Sequence, residues 1–385
     1  EADLAVTHFK VGTIAEQIET NEKALDAYRR AERILQRLVD EQPEDQLDNA
    51  AHRSRLSLCR NNIGLVLSRM GETEEAEAAY RRAIAMQQQL VEENPDSADY
   101  RSELAASYGN LGLLAQETGR TAEADEAYRA AIEAQQTLAR RYPNEANYSN
   151  NLAVSYNNLG FLYAKSDPAR AERFYRRALS IQKQLVEVHP GVNRYLSDTA
   201  LCYNNLGAIE NHVGQTDKAK ASYRAAIAIQ QSLVRKAPAV SRFRRDLAIS
   251  HNNLGRVHSK AQQPDEAEES FCKARDILEE LVHDYPTELN YRSSLGGILN
   301  NLGMVLEQLG RTDEAAAMYS RAIEHQQFAV EHAPEMGRFR DFLRKHYVNY
   351  SRVLGAVGRA DEAAEATLAA NSLDVAGPSL EEENP

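Results

Sequence analysis

Apolar side chains recur along this chain in steps of three and four. Between about Tyr100 and Glu117 they fall at Leu104, Tyr108, Leu111 and Ala115, which places them on one face of a helix. Gly119-Arg120-Thr121 interrupts the pattern. A second stripe then runs through Ala124, Tyr128, Ala131, Gln135 and Leu138, and Tyr142-Pro143 ends it. The predicted element is a helix, a turn, a second helix and a stop.

That element repeats. Tyr156-Asn157-Asn158-Leu159-Gly160 returns as Tyr203 to Gly207, His251 to Gly255 and Leu299 to Gly303. Upstream it reads Arg60 to Gly64 and, with Gly109 for the first asparagine, Tyr108 to Gly112; weaker copies lie at His8 to Gly12 and Tyr347 to Ser351. Taking the glycine as register, the copies stand at 12, 64, 112, 160, 207, 255, 303 and 351. Length alone would suggest two or three globular domains, but a fixed period means stacked units sharing one continuous core. The expected fold is all-α: a right-handed superhelical solenoid of about eight helix-turn-helix units with a 48-residue period over 1–371, followed by a disordered acidic tail at 372–385.

The breaks carry turn chemistry. Thr73, Thr121, Thr216 and Thr312 stand where a hydroxyl is expected to cap the second helix, and Asp167-Pro168 and Gln263-Pro264 place proline at a first helical position. Pro43, Pro95, Pro143, Pro190, Pro238, Pro286 and Pro334 mark unit boundaries. Acids precede arginines by four residues at Asp26 to Arg30, Glu77 to Arg81 and Glu172 to Arg176, so the Arg-Arg pairs read as helix-surface ion pairs.

Aromatic, Leu and Gly followed by Ala, Tyr and Ala resembles the tetratricopeptide repeat. The match runs through Ala76, Tyr80 and Ala83, through Ala219, Tyr223 and Ala226, and through Ala267, Phe271 and Ala274. The usual repeat has about 34 residues, and the fourteen added here amount to about two turns per helix, which keeps both apolar faces in phase. This is similar to the long-helix class of kinesin light chain repeats. Tyr100 to Gly112 and Tyr291 to Gly303 further resemble the C-terminal repeat regions of bacterial Hanks-type Ser/Thr protein kinases. On that resemblance the fragment would be a sensing or recruiting arm, with a kinase domain and a membrane helix upstream of Glu1.

The tetratricopeptide resemblance implies that first helices line a concave groove. Asn62, Asn110, Asn158, Asn205, Asn253 and Asn301 would then form a ladder facing it, able to donate to and accept from a partner backbone. The same amides could instead bond neighbouring helices and hold units in register. Six before the glycine stand Leu58, Ala106, Val154, Leu201 and Ile249, and one after it Leu65, Leu113, Phe161, Ala208, Arg256 and Met304. This stripe is expected either to anchor a partner or to be covered by tight packing. Five after the glycine come Arg69, Glu117, Lys165, His212, Lys260 and Gln308, a positive-leaning row suited to an acidic or carboxylate-ended partner, or else an unused solvated face.

Composition narrows the function. The formal charge of −12 disfavours nucleic acid as partner. Cys59, Cys202 and Cys272 have no metal or redox spacing, and the first two occupy the position of Ser107, Ser155 and Ser250, as small packing residues do. Arg244-Arg245-Asp246-Leu247 approximates a kinase catalytic loop with its spacing off by one, and Arg101-Ser102-Glu103-Leu104 at the same register identifies it as repeat sequence. His251 and His258 lie two turns apart without a third ligand. No run is long and apolar enough for a membrane span. The reading is a soluble, cytoplasmic, non-catalytic scaffold without cofactor or metal, binding a protein or peptide, with attachment through an upstream membrane helix as the alternative.

Overall fold

The computed structural model describes residues 1–18, 20–41 and 47–374; Pro43, most of the extra residues of the 52-residue first step and the tail beyond Asp374 lie outside them. The described residues form sixteen α-helices and no strand. The fold is an all-α helical repeat array. First helices are α1 (Ala2–Ile18), α3 (Leu47–Arg69), α5 (Ala98–Glu117), α7 (Ala146–Tyr163), α9 (Asn193–His212), α11 (Ser241–Lys260), α13 (Leu289–Gln308) and α15 (Gly337–Ala356). Their partners are α2 (Asn21–Glu41), α4 (Thr73–Glu93), α6 (Thr121–Arg141), α8 (Pro168–Val188), α10 (Thr216–Lys236), α12 (Pro264–Asp284), α14 (Thr312–His332) and α16 (Ala360–Asp374). A full second helix such as α4 has 21 residues, so it is about 30 Å long at 1.5 Å per residue. The boundary expected at residue 371 falls inside α16.

The chain forms two compact units, Glu1–His189 and Pro190–Pro385. Within the first, each helix packs on the next from α1 to α8, and α1, α3, α5 and α7 also meet in succession. The second repeats this order from α9 to α16, with α9, α11, α13 and α15 meeting in turn.

Seven of the eight pairs close on a glycine facing an aromatic ring. A Cβ placed on Gly112 would lie 2.7 Å from the Tyr128 ring, on Gly64 2.7 Å from Tyr80, and on Gly160 2.5 Å from Tyr175. No side chain fits such a gap, so the missing Cβ lets the helices approach while the ring fills the space opposite. Tyr28, Tyr80, Tyr128 and Tyr319 are fully buried with the alanines beside them. The Tyr128 hydroxyl bonds Gln116 Oε1 at 3.3 Å, and Tyr319 donates to Glu307, so the polar end of the ring is satisfied. In the last pair, Ser351 and Thr367 replace glycine and tyrosine, and their hydroxyls lie 2.7 Å apart. The side chain added on one helix is matched by the ring lost from the other.

The expected threonine caps are corrected by the structure. Thr73, Thr121, Thr216 and Thr312 each begin the helix proper. Glu72, Arg120, Gln215 and Arg311 hold the cap position, without a side-chain cap bond. The reason is the turn before them. Gly71, Gly119, Gly214 and Gly310 adopt left-handed φ, and backbone bonds from Glu72 N to Leu67 O (2.9 Å) and from Arg120 N to Ala115 O (2.8 Å) close a tight six-residue ring. The helix therefore starts one residue earlier than a threonine cap requires. Arg120 and Arg311 pair with Glu77 and Glu268 of the preceding second helix, at 2.6 and 2.7 Å. Asp167 does cap α8, accepting from Arg170 N at 3.0 Å, and Pro168 and Pro264 open their helices as expected.

Gln262 holds the left-handed position that Gly71, Gly119, Gly214, Gly310 and Gly358 take in their turns, at φ 56°. Gln262→Gly is expected to stabilise the second unit by about 1 kcal/mol, because the backbone strain of a Cβ there disappears. Chemical denaturation checks this, and a lowered midpoint contradicts it.

The remaining surface expectations can be placed directly. Asp26–Arg30, Glu77–Arg81 and Glu172–Arg176 form ion pairs of 2.8, 2.8 and 2.7 Å. Cys59 and Cys202 are buried among packed helices and all three cysteines are free; burial pushes the Cys202 thiol up to about 12. Among the described residues no group of three His, Cys, Asp or Glu side chains could hold a metal ion, and no helix is long and apolar enough to cross a membrane.

Candidate interaction surface

One face of each first helix is left uncovered by its second helix. Counting from the register glycine, it is traced by positions six before, two before, one after and five after, in alternating steps of four and three. It carries an apolar stripe. Leu113, Val154 and Phe161 in the first unit, with Leu201, Ile249 and Met304 in the second, are between 41 and 58% exposed. Leu65 is half-buried, while Ala208 and Arg256 are exposed. The expectation that packing covers this stripe does not hold. Successive first helices touch but leave shallow recesses between them.

Two recesses occupy the same register in the two units. One, of about 260 Å³, lies between α5 and α7 over α6; Gly109, Asn110, Leu113, Gln135, Val154 and Asn158 are among its walls. The other, of about 350 Å³, lies between α9 and α11 over α10, with Leu201, Asn205, Ile249 and Asn253 in its wall. Their electrostatics differ. Asp198, Asp246, Arg242 and Arg245 line the second, whereas the first has no charged wall. Arg245 meets Asp246 at 2.9 Å, and burial raises the Asp198 carboxyl above its ordinary value against the opposing pull of Arg194 and Arg242. A further recess between α3 and α5 contains Glu103. Both oxygens of this carboxyl accept from Ser54 Oγ, at 3.0 and 3.2 Å, and burial lifts it to about 7.

The asparagines bond one repeat to the next. Asn110 Nδ2 donates to Asn61 Oδ1 at 3.0 Å, Asn301 to Asn252 at 3.0 Å and Asn349 to Asn300 at 2.9 Å. The second asparagine of one repeat thus bonds the first asparagine of the repeat before it, which fixes the offset between neighbouring first helices. Asn62 Nδ2 reaches the Tyr28 hydroxyl at 3.3 Å. Asn158, Asn205 and Asn253 line the two recesses. The amides are half-buried at all six positions, and in Asn110 a bonded amide and a recess wall coincide in the same side chain.

The outer row is mixed. Arg69 pairs with Glu16 at 2.9 Å, and Lys260 Nζ donates to the Asn211 carbonyl at 3.1 Å. Lys165, Glu117, His212 and Gln308 are exposed. His251 is buried, which pulls its imidazole down to about 4, and His258 Nδ1 lies 3.0 Å from Gln263 Oε1.

Sequence reading passed over the polar residues beneath the groove. Gln87, Gln135, Gln182, Gln230 and Gln326 are buried at one register on the second helices. In the second unit Ser250 Oγ donates to Gln230 Oε1 at 2.6 Å and accepts from Asn204 Nδ2 at 2.8 Å. Aligning the repeats column by column carries the signal: serine or cysteine recurs five before the glycine and glutamine about twenty-three after it.

Paired helices of this length, a glycine against a buried tyrosine, and an open first-helix face define a helical-repeat interaction fold. Tetratricopeptide-repeat profiles match residues 60–137 and 198–280, residues 152–191 and residues 297–326, together more than half of the chain. The chain belongs to the tetratricopeptide-repeat family. Among solved structures it is similar to BtubC (BKLC) from P. vanneervenii, with 20% identity and a TM-score of 0.52 over 68% of this chain and 94% of that one. It is also similar to the apo form of RapI (13% identity, TM-score 0.55, 97% and 99% covered). A third is the signal-transduction ATPase PH0952 from Pyrococcus horikoshii, which carries a tetratricopeptide repeat sensor (13%, 0.51), where the match spans 96% of this chain and 52% of that one. These likenesses concern the fold. A search of curated proteins gave no match.

Proposed function

We propose that the chain is a non-catalytic interaction array that binds a protein or peptide segment along its first-helix faces. The observation that carries this is the exposed apolar stripe of each unit, Leu113, Val154 and Phe161 in the first and Leu201, Ile249 and Met304 in the second, each set beside amides and a recess on its own unit's first-helix face. Leaving such side chains in water costs free energy that a partner recovers by covering them. The apolar groups supply binding energy, and Asn158, Asn205 and Asn253 meet a partner backbone at the edges. Arg69, Lys165 and Lys260 bias the rim toward carboxylates.

A photo-crosslinking residue placed at Phe161 or Leu201 is expected to capture a partner in the source cells, and the same residue at exposed Arg82 or Glu187 on second helices is not. Capture only from the second helices contradicts the reading.

A second reading makes this array the regulatory arm of a bacterial Ser/Thr protein kinase. It is supported by the wording of Tyr100 to Gly112 and Tyr291 to Gly303. The reading frame before Glu1 tests it: a full kinase signature set supports it, and further repeats alone contradict it.

A further inference from the structure

Gly109 is the one place between Arg60 and Asn301 where the paired-asparagine segment lacks its first asparagine. The direct consequence falls on Asn158, with Ser155 and Gln135 completing its surroundings. In three other repeats the first asparagine accepts a bond from the repeat that follows: Asn61 from Asn110, Asn252 from Asn301 and Asn300 from Asn349. Asn158 is the corresponding donor for residue 109, and glycine offers it no side-chain acceptor. In the second unit the first asparagine, Asn204, also donates to Ser250, which donates to Gln230. The counterparts of those two are Ser155 and Gln135. Gln135 is 7% exposed, and its Oε1 has no hydrogen-bond partner. The Oε1 atoms of Gln87 and Gln326 at this register also lack one, but here a glycine opens space beside the amide.

Space is present as well as unmet polarity. A Cβ on Gly109 would meet nothing within 4 Å, and Gly109, Gln135, Ser155 and Asn158 all line the recess between α5 and α7. Exposed Leu113 and Val154 flank it. We infer that this recess is a subsite for a carboxamide, supplied by a glutamine or asparagine side chain of the bound polypeptide. The guest oxygen accepts from Asn158 Nδ2. The guest NH2 donates to Ser155 Oγ, which turns its own proton toward Gln135 Oε1. The result reproduces, with an external amide, the chain that Asn204, Ser250 and Gln230 make internally. A carboxylate guest has no proton for Ser155, and an aliphatic guest leaves both amides unmet, so each is discriminated against.

This deepens the proposed groove function and rests on it for the source of the amide. The test uses the full chain with methyl-labelled Leu and Val, titrated with N-acetyl-glutamine methylamide and with the glutamate and norleucine analogues. Saturable shifts of the Leu113 and Val154 methyls are expected from the glutamine probe, at least about fivefold stronger than from either analogue. Gly109→Asn installs the residue found in the other repeats and should abolish the response. Gln135→Leu, the residue that stands at this register as Leu35 and Leu278, should weaken it with the helical fold retained. Equal shifts from all three probes, no shift from any, or undiminished binding to Gly109→Asn would overturn the assignment. Crosslinking from Phe161 and Leu201 judges the wider groove independently, so failure of the subsite and failure of the groove are separable results.

Discussion

Gly112→Ser is expected to lower the unfolding free energy by about 2 kcal/mol. A Cβ there meets the Tyr128 ring at 2.7 Å, and that ring is fully buried and cannot swing aside. The better helix propensity of serine returns only about 0.5 kcal/mol, so the clash wins. Tyr128→Thr alone should cost about 3 kcal/mol by leaving a cavity. Combined, the two substitutions recreate the Ser351–Thr367 pair, whose hydroxyls lie 2.7 Å apart. The double variant should therefore lose about 1–2 kcal/mol less than the sum of the single losses. A double-mutant cycle by chemical denaturation reads this directly. Strict additivity would mean that glycine and tyrosine do not depend on each other.

Acid should weaken the second unit between about pH 6.5 and 4. Burial holds His251 and His346 neutral, each with its pKa drawn down to about 4 from 6.5. Across that window the unfolded chain binds protons that the folded chain refuses, so stability rises with pH and falls as pH drops through it. At 1.36 kcal/mol per pKa unit the fall from 6.5 to about 4 at both histidines amounts to about 7 kcal/mol at most. His251→Tyr restores the residue found at Tyr108, Tyr156 and Tyr203, and His346→Ser the one found at Ser155 and Ser250. The double variant should flatten the pH profile of the melting midpoint over this range. An unchanged profile would show that other groups govern the acid limit.

What could be read from the sequence depended on whether an interaction lies within a repeat or between repeats. Gly112 and Tyr128 are sixteen residues apart in every full copy but one, so their pairing shows as a period in the letters. Asp26–Arg30 and its equivalents are local to one helix and were equally legible. The threonine caps failed over a single residue, because the left-handed glycine before them sets where the helix starts. The asparagines left two readings open since their partners sit forty-nine residues away, across a repeat boundary. Exposure of Leu113, Val154 and Phe161 was undecided for a related reason. It depends on how closely α5 and α7 approach, which no single repeat encodes. Ser351 ends what the sequence shows only as a weaker copy, and its contact with Thr367 shows the two to be a matched replacement. Gly109 stood in the sequence simply as a glycine in place of the first asparagine, whereas in the structure it lines a recess.

The most direct measurement takes the partner captured by crosslinking and determines its affinity for variants of the open face. Val154→Asp with Phe161→Asp should weaken binding at least about tenfold, equivalent to 1.4 kcal/mol, with helicity unchanged. Leu368→Asp, at an apolar side chain still more exposed on the second helix of the last pair, should leave it unchanged. Equal affinity for all three proteins, or loss confined to Leu368→Asp, would contradict binding along the first-helix face.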